Sequence, residues 1–294
     1  MYLPSFNYHK PATIKEALDL LEKNSNIVLM AGGTDLLVEI KKGLRSTENI
    51  VSLSEIEALK IIEEDDKTIY VGTALTINNV ITSPLIRKYL PALADAASKI
   101  GSAQVRNSGT IGGNLCTAAS CCDTAPILMA LNASLEIVDS NGVKTVPLKD
   151  FFIFNKKTIL TEKEIVTKVI VPKPESGHGA HYEKFGLREA CSISVVSAAT
   201  MVLIKDNACA DACVVIGAVA PTPKISIKAS EILKGKKISD IAENSVLLEQ
   251  AGQAATDDSI PIDDIRSGAQ YRRDILKVIT QRSILSALKN ATKK

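Results

Sequence analysis

The chain of 294 residues contains no tryptophan, and aromatic residues make up only 4% of it. Proteins that bind single-stranded nucleic acid usually stack bases on aromatic side chains, so this composition disfavours that class. The charge is also nearly balanced, with 35 Lys and Arg against 33 Asp and Glu and a net charge of +2. Because nucleic-acid binding through bulk charge needs a strongly basic face or stripe, we expect no nucleic-acid partner.

Long hydrophobic runs are missing as well. No apolar stretch approaches the roughly 20 residues of a membrane-spanning helix, so we expect no membrane span. The first residues, Met1 to Ser5, lack the basic start and the apolar stretch of a secretory signal peptide. We therefore expect a cytoplasmic protein, in which the 6 cysteines stay reduced because the compartment is reducing.

What is present is typical of a globular chain of mixed α and β structure. Hydrophobic residues make up 46% and charged residues 23%, and the length allows two or three domains. Thr13 and Glu16 form a capping-box pattern at the start of a predicted helix. The segment 172–179, dense in Pro, Gly and polar residues, predicts a linker.

Other predicted elements follow from hydrophobic patterns and turn signals. We predict buried strand Ile27–Met30, strands 49–53, 165–171, 194–204 and 212–219, hairpins 60–72 and 134–146, helix 91–100 and helices from Ser226 onward. In the last helix Tyr271, Ile275, Val278, Arg282 and Leu285 are predicted to share one face.

Two glycine-rich segments carry the strongest functional signal. Ala31-Gly32-Gly33-Thr34-Asp35 follows the predicted strand at Ile27–Met30. Glycines let a ligand approach the backbone, and successive N–H groups in such a turn can bind an anion. A tight turn between strand and helix explains the same residues without any ligand.

The second segment is Gly109-Thr110-Ile111-Gly112-Gly113-Asn114, within a predicted loop from Gly101 to Asn114. Two such loops could hold a long diphosphate from both sides. Neither one has the G-x-G-x-x-G fingerprint of nicotinamide-binding Rossmann domains or the G-x-x-x-x-G-K-[ST] pattern of NTPases, so those two classes are unsupported.

The two segments together resemble the FAD loops of the flavin subunits of molybdenum hydroxylases, the medium subunits of xanthine dehydrogenase-like and carbon monoxide dehydrogenase-like complexes. Three shorter matches keep the family's order and spacing along essentially the whole chain. They are Asp123-Thr124-Ala125-Pro126, Lys184-Phe185-Gly186 and Tyr271-Arg272-Arg273.

The resemblance implies an α+β fold. It implies a two-part FAD-binding domain of the vanillyl-alcohol oxidase (PCMH) type at 1–175, with subdomains at about 1–55 and 56–175. A smaller α+β C-terminal domain of the carbon monoxide dehydrogenase flavoprotein type is implied at 180–294.

The resemblance also implies which residues hold FAD. The first loop would bind the diphosphate through Leu29, Met30, Ala31, Gly32, Gly33, Thr34, Asp35 and Leu36. The second would complete the diphosphate and ribityl site through Gly101, Thr110, Ile111, Gly112, Gly113 and Asn114. Asp123 would lie near the polar chain of the cofactor, and Val166 and Lys184 near the flavin ring.

Cysteine and histidine patterns offer competing metal sites. Cys116, Cys121 and Cys122 fit the plant-type iron–sulfur spacing C-x4-C-x2-C poorly, because the third cysteine is adjacent to the second. His178 and His181 lie in the predicted linker without a third ligand nearby, whereas a metal site needs three or four ligands. We therefore expect no metal on this chain.

Three functions are compatible with these patterns. The resemblance implies an electron-transfer subunit that takes electrons from [2Fe-2S] clusters on a small partner subunit and passes them to NAD or another acceptor. Molybdopterin would lie on a large partner subunit, and the chain alone would have no hydroxylase activity. The alternatives are a stand-alone flavoenzyme of the same fold and a non-catalytic subunit that has lost flavin.

Overall fold

The computed structural model describes residues 2–292, so Met1 of the N-terminal segment discussed above lies outside the described residues. The chain begins with a small parallel sheet of strand order β1-β3-β2. Its elements are β1 (Asn7–His9), α1 (Ile14–Lys23), β2 (Ile27–Met30), α2 (Leu36–Lys41) and β3 (Asn49–Ser52).

The predicted capping box begins α1. The Thr13 hydroxyl accepts a hydrogen bond from the Glu16 N–H at 3.1 Å. The Glu16 carboxylate accepts one from the Ala12 N–H at 2.8 Å, one residue before the position that the pattern predicts. This confirms the helix start. The prediction that β2 is buried is wrong, because β2 lies at an edge of its sheet and all its residues are half-buried.

A five-stranded antiparallel sheet follows, with strand order β4-β5-β10-β6-β7. Its strands and a small neighbouring hairpin are β4 (Ile62–Glu64), β5 (Thr68–Gly72), β6 (Ser134–Asp139), β7 (Gly142–Pro147), β8 (Phe152–Phe154), β9 (Lys157–Thr158) and β10 (Ile165–Pro172). The predicted hairpins at 60–72 and 134–146 are confirmed.

Short helices fill the long connection between β5 and β6. They are α3 (Ile77–Thr82), α4 (Pro84–Tyr89), α5 (Pro91–Ser98), α6 (Ala103–Ser108), α7 (Ile111–Cys116) and α8 (Thr124–Ala130). The prediction of one loop from Gly101 to Asn114 is therefore wrong. The Ser102 and Thr110 hydroxyls cap α6 and α7 by accepting hydrogen bonds from the Val105 and Gly113 N–H groups, at 3.3 and 3.0 Å.

The C-terminal part packs helices on a second antiparallel sheet, of strand order β11-β12-β13-β14. Its elements are β11 (His178–Phe185), β12 (Val196–Lys205), β13 (Ala208–Gly217), β14 (Lys224–Ile225), α9 (Ile227–Leu233), α10 (Val246–Asp257) and α11 (Ala269–Thr292). The predicted linker is shorter than expected, because β11 already begins at His178. These two α+β parts confirm the expected fold class, whereas the domain limits stay a prediction.

The face that α11 buries is not the one that the five residues from Tyr271 to Leu285 were predicted to share. Tyr271 and Val278 are 48% and 41% exposed. The buried residues are instead Arg272, Leu276, Ile279, Thr280, Ser283, Ile284, Ala287 and Leu288. An apolar pattern missed this face because polar Arg272, Thr280 and Ser283 belong to it. No helix within residues 2–292 has the length and apolar character to cross a membrane.

Candidate cofactor site

The first glycine segment links β2 to α2 at the edge of the small sheet. Gly33 has a φ of +70°, a left-handed conformation that favours glycine. In residues 2–292 we find no acceptor for the backbone N–H groups from Gly32 to Asp35. The residues that carry these groups are half-buried or exposed. A run of unpaired N–H groups beside a helix start favours an anionic ligand.

Gly32 brings this turn against the second segment. The Ser108 hydroxyl donates a hydrogen bond to the Gly32 carbonyl at 3.0 Å. A Cβ on Gly32 would lie 2.0 Å from the Ser108 carbonyl oxygen and 2.7 Å from the Gly109 Cα. Gly32 is therefore required by the close approach of two backbones, whether or not a ligand is present.

Most N–H groups of the second segment already donate hydrogen bonds to other groups of the protein. The N–H of Ile111 donates to Leu75 and that of Gly112 to Thr73, at 3.0 and 2.9 Å. Gly113 donates to the Thr110 hydroxyl and Asn114 to the Thr110 carbonyl. The backbone of this segment therefore shapes the site, while the first segment supplies the unpaired donors.

The two segments also face each other across Gly113. A Cβ on Gly113 would meet the Thr110 Oγ1 at 3.0 Å and the Ala31 Cβ at 3.9 Å. One turn further along, the Thr117 hydroxyl donates to the Asp35 carboxylate at 3.4 Å. The first segment thus lies along one side of α7, where Gly113 presents no side chain toward Ala31.

This arrangement fits a flavin dinucleotide. Its diphosphate needs hydrogen-bond donors, and the unpaired N–H groups of Gly32 to Asp35 are such donors. At Gly113 no side chain stands between α7 and Ala31. Lys and Arg are absent from Ala31 to Asp35, so backbone N–H dipoles would stabilise the negative charge of the diphosphate.

Val166 and Gly101 lie at the margins of these segments. Val166 is buried, and its carbonyl accepts from the Thr73 hydroxyl at 2.7 Å. The Thr73 carbonyl accepts a hydrogen bond from the Gly112 N–H, so Thr73 links Val166 to the second segment. Gly101 turns the chain into α6 with a φ of +45°, and Arg106 donates to its carbonyl at 3.2 Å.

Asp123 lies where the N-terminal part of the molecule meets the C-terminal part. It is buried, and it accepts hydrogen bonds from the Tyr182 hydroxyl at 2.6 Å and the Ser194 hydroxyl at 2.5 Å. The Lys184 ammonium donates to the other carboxylate oxygen at 2.9 Å. Burial, together with the charge of Asp123, raises the pKa of Tyr182 well above its usual range, so the phenol remains a donor.

Lys184 borders an open cleft of about 410 Å³. The other residues that line it are Lys99, Phe185, Gly186, Leu187, Arg188, Glu189 and Ser192. A second groove, of about 310 Å³ between α8 and α9, is lined by none of the predicted site residues. The structure thus brings the two glycine segments together, and it joins Asp123 and Lys184 in a group of contacts with the C-terminal sheet.

Several residues that position these groups were missed from sequence. They are Thr73, Ser108, Thr117, Tyr182 and Ser194. Ser108 lies next to the Gly109–Asn114 motif, so proximity was an available signal. Thr73, Tyr182 and Ser194 are distant in sequence from their partners, and no local pattern points to them.

The three neighbouring cysteines have different surroundings. Cys122 is buried and Cys121 half-buried, whereas Cys116 is exposed. Burial raises the pKa of Cys122 to about 12. In the described part of the chain, no group of three or more His, Cys, Asp or Glu side chains is arranged to hold a metal ion. His178 accepts from the Glu175 N–H, and His181 contacts Glu183 at 2.9 Å.

Two family models match the chain. Residues 4–174 match the FAD binding domain in molybdopterin dehydrogenase, and residues 180–287 match the CO dehydrogenase flavoprotein C-terminal domain. The carbon monoxide dehydrogenase medium chain of Hydrogenophaga pseudoflava is 30% identical over 98% of both chains. The xanthine dehydrogenase FAD-binding subunit of Escherichia coli O157:H7 is 29% identical over 96% of both.

Solved structures agree with the sequence matches. The carbon monoxide dehydrogenase of Hydrogenophaga pseudoflava that lacks the Mo-pyranopterin moiety superimposes with a TM-score of 0.94 at 29% identity, over 99% of both chains. The quinoline 2-oxidoreductase of Pseudomonas putida 86 gives a TM-score of 0.93 at 28% identity, over 100% of both. The chain therefore belongs to the FAD-binding flavoprotein subunits of the molybdenum hydroxylase family.

Proposed function

We propose that the chain carries electrons within a larger complex. It would receive them from [2Fe-2S] clusters on a small partner subunit and pass them to NAD or another acceptor. The substrate would be oxidised on a large molybdopterin subunit. The observation that carries this proposal is the run of unpaired N–H groups from Gly32 to Asp35, held against the second glycine segment.

Bound FAD supplies the capacity to accept and release electrons. The chain's own task is to bind and orient it. Gly32, Gly33, Thr34 and Asp35 would donate backbone N–H groups to the diphosphate. The glycine at 113 would leave room for the cofactor beside α7.

The remaining predicted residues have positions compatible with supporting roles. Leu29, Met30, Ala31 and Leu36 flank the N–H run, and Thr110, Ile111, Gly112 and Asn114 shape the facing segment. Gly101 and Val166 adjoin that segment, as described above. Asp123 and Lys184 bond to each other, so we propose that they hold the C-terminal sheet in place beside the flavin ring.

The relatives support a partnership. The carbon monoxide dehydrogenase relative is a medium chain, which by that name is one chain of a complex. We therefore expect a small [2Fe-2S] subunit and a large molybdopterin subunit as partners. We also propose a cytoplasmic location and domains at 1–175 and 180–294.

Purification of the chain alone and with its partners tests this function. The isolated chain should show flavin absorbance and be bleached by dithionite, yet be inert with purines, aldehydes and N-heterocycles. Co-expression with the neighbouring genes should yield a complex that contains molybdenum and iron. Turnover of any of these substrates by the isolated chain would contradict the subunit proposal and favour a stand-alone flavoenzyme. A chain without flavin would favour a non-catalytic subunit.

A further inference from the structure

Two side chains from the start of α8 hold the side chain of Asn114. The Thr124 hydroxyl donates to Asn114 Oδ1 at 2.6 Å, and the Cys122 thiol donates to the same oxygen at 3.0 Å. Thr124 is 0% exposed and Cys122 is 4% exposed. Both donors are therefore shielded from water. A hydrogen bond orients its partner most strongly in such a water-poor environment.

The distances decide which way the amide points. A separation of 2.6 Å is typical of O–H···O and short for N–H···O, so the Asn114 atom beside Thr124 is the carbonyl oxygen. Cys122 agrees with this orientation, since burial raises its pKa to about 12 and keeps it an S–H donor. With the oxygen held by two donors, a flip of the amide would lose the bond from Cys122 and set Nδ2 at 2.6 Å from the Thr124 oxygen, which is short for N–H···O.

The other end of the amide is free. Among residues 2–292, the structure shows no hydrogen-bond partner for Asn114 Nδ2, and this atom is not among the fully buried unpartnered ones. On α7, Asn114 follows Gly113 and precedes Thr117 by three residues, so it adjoins the side of the helix that faces the first glycine segment. A donor is thus available next to the predicted cofactor space.

We propose that Thr124 and Cys122 are positioning residues for FAD, which orient Asn114 so that its Nδ2 donates to the polar chain of the cofactor. This inference rests on the proposed binding of FAD. It accounts for the threonine in Asp123-Thr124-Ala125-Pro126, whose side chain lies at the N-terminus of α8 but bonds to α7 instead of capping its own helix.

Matched variants of the purified chain test the inference through FAD affinity. Flavin is removed, and its rebinding is followed by quenching of flavin fluorescence, with a thermal melt to check folding. Thr124→Val removes the hydroxyl at nearly constant volume, and Thr124→Ser keeps it. Cys122→Ala and Cys122→Ser form the corresponding pair. Cys213→Ala, at a half-buried thiol in β13, is the control.

We expect Thr124→Val to weaken FAD binding about tenfold, as the loss of about 1.4 kcal/mol of oriented hydrogen bonding implies. Thr124→Ser, Cys122→Ser and the control should stay within about twofold of the wild type. Asn114→Asp keeps an acceptor for Thr124 but loses the donor and adds a negative charge, so it should weaken FAD binding at least as much. The double variant Asn114→Asp with Thr124→Val should then lose little further FAD affinity, because both substitutions remove the same interaction.

Two results would overturn the inference while leaving the proposed function intact. One is that Thr124→Val binds FAD with wild-type affinity. The other is that the losses of FAD affinity in Thr124→Val and Asn114→Asp add up in the double variant. If Thr124→Val does not fold, Cys122→Ala takes its place. Its FAD affinity is then measured alone and in combination with Asn114→Asp, and the same two results would overturn the inference. A wild-type chain that binds no FAD would overturn the proposed function itself, and the inference with it.

Discussion

Lys184 in β11 and Asp123 at the start of α8 form a salt bridge of 2.9 Å between the two parts of the molecule, and each side chain is only 8% exposed. Lys184 also donates to the Lys99 carbonyl at 2.9 Å, and Lys99 donates to the Tyr182 carbonyl at the same distance. The C-terminal sheet is thereby bonded to α5 and α8 through buried polar groups.

Removing one partner of this pair should destabilise the protein. Lys184→Met would leave the Asp123 carboxylate buried with a reduced set of donors, at a cost on the order of 3–5 kcal/mol. Lys15→Met, which breaks an exposed pair with Asp19, should cost far less, because solvent screens that pair. Urea denaturation of both variants measures the two free energies of unfolding. Equal losses would show that the interdomain pair contributes no more than a surface pair.

A branched side chain at Gly113 should expel FAD. Gly113→Val would fill the space between α7 and Ala31, whereas Gly113→Ala fills it less. We expect flavin content per purified chain to fall in the order wild type, alanine, valine. A thermal melt shows whether the apoprotein remains folded. Full flavin occupancy in the valine variant would exclude this segment from the cofactor site.

Stability should fall in acid partly through Asp264. Hydrogen bonds from Arg266, and a further one from Arg272 at 2.6 Å, hold the pKa of the Asp264 carboxyl well below its usual range. A lowered folded-state pKa stabilises the protein above the unfolded pKa of 3.8, and this stabilisation is lost as the pH falls below it.

Asp264→Asn should therefore be less stable than the wild type near neutral pH, and the difference should shrink between about pH 5 and pH 2. Asp66→Asn, in the exposed turn of the β4–β5 hairpin, is the control and should run parallel to the wild type. Melting temperatures across this pH range test the prediction. A gap between Asp264→Asn and wild type that does not change with pH would contradict it.

The adjacent cysteines should prove dispensable for cofactor content. Replacing Cys121 and Cys122 with serine should preserve flavin, because a serine at 122 still donates a hydrogen bond. Burying two hydroxyls could cost on the order of 1–3 kcal/mol each if partners are lacking, and this would lower the melting temperature. Stoichiometric iron in the isolated wild-type chain, lost in the double variant, would instead show that these cysteines bind a cluster.

Local patterns predicted most of the secondary structure. The hairpins predicted at 60–72 and 134–146 are confirmed, and so is the helix start predicted at Thr13. These features are set by neighbours in the chain, so they are readable from sequence. The segment 101–114 was mispredicted because its glycines outweighed Ser102 and Thr110, whose hydroxyls start two short helices.

The sequence by itself determined the family and the two glycine segments, because motifs of that specificity are local. Only the tertiary structure decided what each glycine does. Gly32 is needed for the close approach of Ser108, and a side chain at Gly113 would meet the Thr110 hydroxyl and Ala31. Likewise, Thr124 bonds to Asn114, and Asp123 bonds to Tyr182, Ser194 and Lys184. Such contacts join residues far apart in the chain, and their partners are chosen by how helices and sheets pack, which no local pattern encodes.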